Sequence, residues 1–203
     1  MFARRSFLAC LLTFALAMAG CTGAPSAEAN ADAALPAMPT ARCINISNAL
    51  EAPREGEWGH PIRLSDMAMI KAAGFDSVRV PIRWDQHAGP APEYRIAPAH
   101  MARVAEVVDA ALDAGLQFVL DVHHYDALYE APARERAKFI AIWRQIAQRF
   151  AGYPKTLIFE PINELRGDAM TPDVVWQINL DALRAIRPLH PDRLVILGGS
   201  NWN

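Results

Sequence analysis

Cysteine is scarce: the 203 residues hold three, at positions 10, 21 and 43. Cys10 lies in a leading apolar stretch and Cys21 ends it, so Cys43 stands alone in the remainder and an internal disulfide cannot form there. Its apolar surroundings cast Cys43 as a buried structural thiol rather than a nucleophile. Neither sign of charge is in excess. The formal charge is −2, which offers no basic face for nucleic acid. No glycine-rich phosphate loop follows the first strand-like segment, which argues against a nucleotide-binding fold. A bilayer-spanning run is missing as well: the apolar stretch from Phe7 to Ala19 is too short for a lasting anchor. What is present is a chain 52% hydrophobic, with enough length for a real core.

The front end divides from the rest. Arg4 and Arg5 precede the apolar stretch, so residues 1–20 read as a secretory signal. Arg4 to Leu8 resembles the core of a twin-arginine export signal, and an ordinary n-region with two arginines fits equally. Ala17-Met18-Ala19-Gly20-Cys21 resembles the bacterial lipoprotein signal, with Met18 where Leu is usual. That resemblance implies lipidation of Cys21 and a membrane-anchored protein; the plain alternative is cleavage after small residues. Residues 21–41, rich in Ala and Pro without apolar periodicity, read as a flexible tether. The folded domain is expected over 42–203.

Within it, strand-like segments recur at Cys43–Ser47, Ser77–Ile82, Gln117–Val122, Thr156–Ile162 and Arg193–Leu197, spaced roughly 35–40 residues apart as β/α units are. Helical patterns lie between them. Ser65 or Asp66 caps the first, which Gly74 closes. Pro98 opens the second and Gly115 ends it. The third runs from Arg134 to Phe150. Thr171 or Asp173 starts the fourth, with Val175, Ile178, Leu180 and Leu183 on its apolar face. Alternating β and α implies a parallel sheet, either doubly wound or closed as a barrel. Arg79, Asp121 and Glu160 decide between them. They sit inside three successive strands, where a sheet covered on both faces should be apolar. Each would cost several kcal/mol if unpaired. Pointing into a barrel they can meet, so the expected fold is α/β, a (β/α)8 TIM barrel with about five of its eight units present.

Polar and aromatic residues gather where these strands end. After the first come Asn45, Glu51 and Trp58; after the second, Arg83, Trp84 and His87. His123, His124 and Tyr125 follow the third, Asn163 and Glu164 the fourth, and Ser200, Asn201 and Trp202 the fifth. Aromatics, amides, histidines and a carboxylate with little net charge suit a carbohydrate, whose rings stack and whose hydroxyls hydrogen-bond. A phosphate ligand would ask for more cations. A metal is the rival explanation for the histidines, but adjacent His123 and His124 on an extended segment should point to opposite sides.

VRVPIRW (Val78–Trp84), LDVHHY (Leu120–Tyr125), FEPINE (Phe159–Glu164) and GGSNWN (Gly198–Asn203) together resemble the cellulase-type glycoside hydrolases of family 5, retaining enzymes built on a β/α barrel. The resemblance implies that Glu164 is the acid/base and that Asn163 holds the sugar 2-hydroxyl. It implies that Arg79 supports the nucleophilic carboxylate and that His123 lines the subsite at the cleaved bond. Tyr125 joins the substrate-binding set. Trp84 and Trp202 are candidate stacking platforms, or else packed core indoles. The substrate implied is a β-linked glucan or a related polysaccharide, acted on by a monomer with no metal or organic cofactor.

One part of the pattern is missing. The family nucleophile, a Glu after the seventh strand, has no counterpart in these residues, and Glu51, Glu55 and Glu57 follow the first strand, where they cannot replace it. The chain is therefore expected to be a truncated member with little or no hydrolase activity. The alternative is a tethered, non-catalytic sugar-binding remnant.

Overall fold

The structure is a computed structural model that describes residues 42–202. The expected signal, the tether, Cys10 and Cys21 lie outside the described residues. The described elements begin with strand β1 (Cys43–Asn45), helix α1 (Ser65–Ala72) and strand β2 (Ser77–Val80). A 3-10 turn (Asp85–His87), helix α2 (Pro98–Asp113) and strand β3 (Gln117–Asp121) follow. Helices α3 (Asp126–Glu130) and α4 (Pro132–Arg149), strand β4 (Leu157–Glu160) and helix α5 (Pro172–Ile186) complete the series. No described helix is long and apolar enough to cross a membrane.

The punctuation expected of the helices is present with one change. Gly74 and Gly115 follow α1 and α2 in the left-handed region, at φ +90° and +75°, a conformation that lets the chain turn sharply off a helix. Proline opens α2, α4 and α5, where its missing N–H costs nothing. Thr171 caps α5, its hydroxyl accepting from the Val174 N–H at 3.4 Å. At α1 neither Ser65 nor Asp66 is the N-cap. That position is Leu64, and Asp66 instead accepts from the Arg63 N–H at 2.9 Å, bracing the turn from inside the helix. On α5 the buried stripe is Val175, Ile178, Ala182 and Ile186, and it takes in Asn179 and Asp181. Leu180 and Leu183 are only half-buried.

The strands are parallel and stand in the order β1-β2-β3-β4. A doubly wound sheet reverses its strand order at a switch point; here sequence order and spatial order agree, as in a barrel wall. Register fixes the two faces. Val78, Val80, Phe118, Leu120, Leu157 and Phe159, all fully buried, join Met67, Val104, Phe139 and Ile178 of the helices in one apolar core. The opposite face carries Asn45 and Arg79, which are register partners, and the partners Asp121 and Glu160. The chain is thus a partial β/α barrel with its polar residues on the concave side.

Two expectations are corrected. Arg193–Leu197 is not a full strand. It meets β4 at a single parallel bridge, Phe159 to Val195, with the Ile196 N–H donating to the Phe159 carbonyl at 2.8 Å. Beyond it, Asn179 of α5 donates to the Gly198 carbonyl at 2.9 Å, which engages the segment with its helix instead of extending the ladder. Cys43 is exposed, not buried, because it lies on the short edge strand β1.

Candidate active site

The site begins with an arginine that a half-buried strand would not tolerate alone. The Arg79 guanidinium donates to both oxygens of Glu160, Nε to Oε2 at 2.7 Å and Nη2 to Oε1 at 2.6 Å. Nη2 also lies 2.7 Å from Asp121 Oδ2 and donates to Asn163 Oδ1 at 2.8 Å, while Nη1 donates to Asn45 Oδ1 at 3.0 Å. Burial disfavours its charge, but the hydrogen bonds and charges of Glu160 and Asp121 outweigh burial and hold its pKa above the usual range. The planar fork explains why arginine serves here: one rigid group satisfies two carboxylates and two amides.

Asp121 extends the network. Fully buried, it accepts from the Ile82 N–H through Oδ1 at 2.9 Å. Its Oδ2 meets His123 Nδ1 at 2.7 Å. With Nδ1 facing a carboxylate, that nitrogen carries the proton and Nε2 is left as acceptor, 3.4 Å from the Asn163 amide nitrogen. Asn163 is therefore held from both sides, its oxygen by Arg79 and its nitrogen by His123. Its backbone is fixed too: the N–H donates to the Val122 carbonyl at 3.0 Å and the carbonyl accepts from the Tyr129 hydroxyl at 2.5 Å.

Glu164 follows directly. Its backbone sits at φ +46°, a region that non-glycine residues enter at a cost of about 1–3 kcal/mol and that clusters at functional sites. Its side chain is 42% exposed and pairs with Arg166 at 3.4 Å. The other carboxylates nearby are committed: Glu160 and Asp121 to Arg79, Asp126 to Arg83 and Arg166, Glu51 to the Asn48 and Ala49 amides. Glu55 is tied to Arg103, and Glu57 to Arg54. Glu164 presents a half-exposed acid, paired with Arg166, directly after an amide fixed for hydrogen bonding, a combination suited to proton transfer at a polar substrate.

The structure joins Arg79, Asn163 and His123 in one network, with Glu164 next in the chain and its carboxylate paired to Arg166, and it buries two of the candidate substrate-binding side chains. Trp84 is fully buried, and its Nε1–H donates to the Asp121 carbonyl at 2.8 Å; it is the packed indole, a wall behind the network. Tyr125 is also fully buried, with its hydroxyl donating to Glu135 at 3.2 Å. Trp202 keeps its platform role open, at 63% exposure. The expectation that His123 and His124 diverge fails, because His124 turns left-handed at φ +51°. The two rings meet edge to face at 4.4 Å, and Trp58 stands 6.1 Å from His124. Burial and the neighbouring His123 lower the His124 pKa. Sequence reasoning missed Tyr129 and Arg166, which lie on an unforeseen short helix and a loop. The Asp121-x-His123 spacing on one strand face was the available signal for the carboxylate that orients His123. Among the described residues, no three His, Cys, Asp or Glu side chains group as metal ligands would.

Polar side chains gathered on the concave side and C-terminal ends of sequentially ordered parallel strands define a β/α-barrel protein with its site on the face such barrels use. Residues 28–203 match the family model of the cellulases, glycosyl hydrolase family 5, and the chain belongs to that family. It is 38% identical to Endoglucanase H of Acetivibrio thermocellus over 159 residues, covering 78% of this chain and 18% of that protein. It is 37% identical to Endoglucanase B of Clostridium cellulovorans, covering 70% of this chain and 36% of that protein. Among solved structures it resembles Thermotoga maritima Cel5A in complex with mannotriose at 42% identity and a TM-score of 0.78, covering 81% of this chain and 53% of that one. The chain thus spans about half the length of this solved relative and less of the curated ones.

Proposed function

We propose that this chain carries the acid/base half of a retaining endo-acting glycoside hydrolase for β-linked glucans. The observation that carries the reading is Asn163–Glu164 at the end of β4, with the amide held by Arg79 and His123 and the acid facing outward. The relatives named above as endoglucanases support the substrate class. In the retaining mechanism Glu164 protonates the departing glycosidic oxygen and later activates water, while a second carboxyl about 5–5.5 Å away attacks the anomeric carbon. Asn163 donates to the sugar 2-hydroxyl. Glu160 and Asp121, the carboxylates of the site's polar network, are both held by Arg79, so neither is free to act as that second carboxyl, and the reading assigns the nucleophile to the part of a family 5 barrel that follows the described strands.

Two expected outcomes follow. The 203-residue chain by itself turns over soluble β-glucan little or not at all. Adding a polypeptide that supplies the nucleophile-bearing remainder of a family 5 barrel gives turnover that Glu164→Gln lowers about a thousandfold. Robust turnover by the chain alone, or a complemented enzyme indifferent to Glu164→Gln, overturns the assignment. Glucan binding that depends on Trp202, with no turnover under any complement, identifies the non-catalytic sugar-binding alternative.

We also propose, from the leader motif alone, export and lipid anchoring through Cys21. Metabolic labelling with a radioactive fatty acid should mark the protein and fail for Cys21→Ser; equal labelling of both refutes the anchor.

A further inference from the structure

Beside Glu164 lies a cavity lined by Asp126, Tyr129, Glu130, Arg166, Asp168 and Trp202. At its centre the Arg166 guanidinium stands 4.7 Å from the Tyr129 ring and 4.7 Å from the Trp202 ring. Its edges are engaged too. Nη2 donates to Asp126 Oδ1 at 3.1 Å and Nη1 to Glu164 Oε2 at 3.4 Å. Three of these partners are themselves anchored. Asp126 pairs with Arg83 at 3.3 Å. The Tyr129 hydroxyl donates to the Asn163 carbonyl. The Trp202 backbone N–H donates to the Leu165 carbonyl at 3.3 Å. Trp202 and its neighbour Asn201 both have positive φ, +72° and +63°, so the indole is presented by a constrained turn and yet remains mostly exposed.

We propose that Arg166 is a positioning residue that holds the Trp202 ring as a sugar-stacking platform in fixed relation to the Glu164 carboxyl. The inference rests on the glucan reading above. A guanidinium stacks flat on an aromatic face while its N–H groups stay free for carboxylates at the edge. Arg166 can therefore grip a ring and an acid at once, which a lysine ammonium, a point charge, cannot. An exposed indole without such a brace would be free to change rotamer, and stacking would then carry the entropic cost of ordering it. With the brace in place, a pyranose ring stacked on Trp202 has its glycosidic bond at a defined distance from the proton donor. The chemical class recognised is a neutral β-linked gluco-oligosaccharide with an apolar ring face.

The test uses the 203-residue chain, calorimetric titration with cellotetraose and the variants Arg166→Met, Arg166→Lys, Trp202→Ala and the double variant Arg166→Met/Trp202→Ala. Arg166→Met is expected to weaken binding about tenfold, with Arg166→Lys in between. The double variant should bind no worse than Trp202→Ala alone, since both changes remove one interaction. Unchanged binding in Arg166→Met, or losses that multiply in the double variant, overturns the proposal. A ligand-free readout separates this from the function itself: the Trp202 indole N–H resonance, identified by its loss in Trp202→Ala, should shift and sharpen in Arg166→Met. If the wild-type chain binds no cellotetraose, the glucan reading fails. The indole resonance then decides the Arg166–Trp202 brace by itself, and a resonance unmoved by Arg166→Met refutes it.

Discussion

Glu160 and Asp121 share one cation, and that makes Arg79 the residue whose loss the site can least absorb. The Asp121 side chain is fully buried and that of Glu160 is 13% exposed. Arg79→Met would leave both facing each other without a positive charge, and breaking a buried pair from one side costs about 3–5 kcal/mol. Arg79→Lys keeps the charge but cannot reach Glu160, Asp121, Asn163 and Asn45 at once, so it should recover only part of the loss. Urea unfolding at neutral pH checks this, and an unchanged midpoint in Arg79→Met would contradict the network described. At this scale the sequence was informative where charge conflicted with burial: three ionisable residues inside apolar strands have few ways to coexist. It was uninformative for the indoles. Trp84 and Trp202 both follow strand-like apolar segments, and only tertiary packing makes the first a buried donor to Asp121 and the second an exposed ring.

The 3-10 turn and α2 meet through a pair of histidines. His87 and His100 stack at 3.8 Å with nearly parallel rings, and Trp84 approaches His100 edge-on at 5.2 Å. His100 Nε2 is buried without a hydrogen-bond partner. Burial first, and then the neighbouring His87, push the His100 pKa down from 6.5 to about 3; burial also lowers that of His87. The charges of Asp85, acting on His87, and of Glu55, acting on His100, oppose these shifts without cancelling them. The unfolded chain therefore binds protons that the folded one refuses. Stability should fall as pH drops below about 6.5 and keep falling toward about 3, by at most about 1.4 kcal/mol per pH unit for each proton taken up. His100→Phe should flatten this dependence in denaturant titrations between pH 6.5 and 4; an equally steep decline would assign it to other groups. Elements of this size were legible where punctuation was strong, as with Pro98, Gly74 and Gly115. Helix α3 was not, since five residues give no period to read. The fifth strand was overextended because an apolar run such as Arg193–Leu197 states that a segment is buried, not how many partners pair with it.

Across the whole molecule, the sheet is unevenly supported. Strands β2, β3 and β4 have fully buried helix-facing residues, and the polar network ties their ends on the concave side. The Val122 N–H donates to the Glu160 carbonyl at 3.2 Å and the His123 N–H to the Ile82 carbonyl at 2.8 Å, so the loops bearing the site are bonded as firmly as the strands. Strand β1 differs. It has three residues, two of them exposed, and its continuation depends on the Ile46 N–H donating to the Arg79 carbonyl at 2.9 Å. The architecture itself was readable from β/α spacing and strand charge together, since neither a helix-covered flat sheet nor an isolated pair accommodates Arg79, Asp121 and Glu160. The gradient of support along it was not, because it depends on which strands have neighbours on both sides. Amide hydrogen exchange should expose that gradient. Val122 and His123 are expected to exchange only through global opening, with free energies in the range of about 5–15 kcal/mol for a small domain, while Ile46 exchanges faster through local opening of β1. Mild denaturant should then speed Ile46 little and Val122 strongly, because only the second opening exposes large surface. Equal rates and equal denaturant dependence at Ile46 and Val122 would mean that the edge strand and the site unfold as one unit, and that the Arg79 network adds no local stability beyond that of the entire sheet.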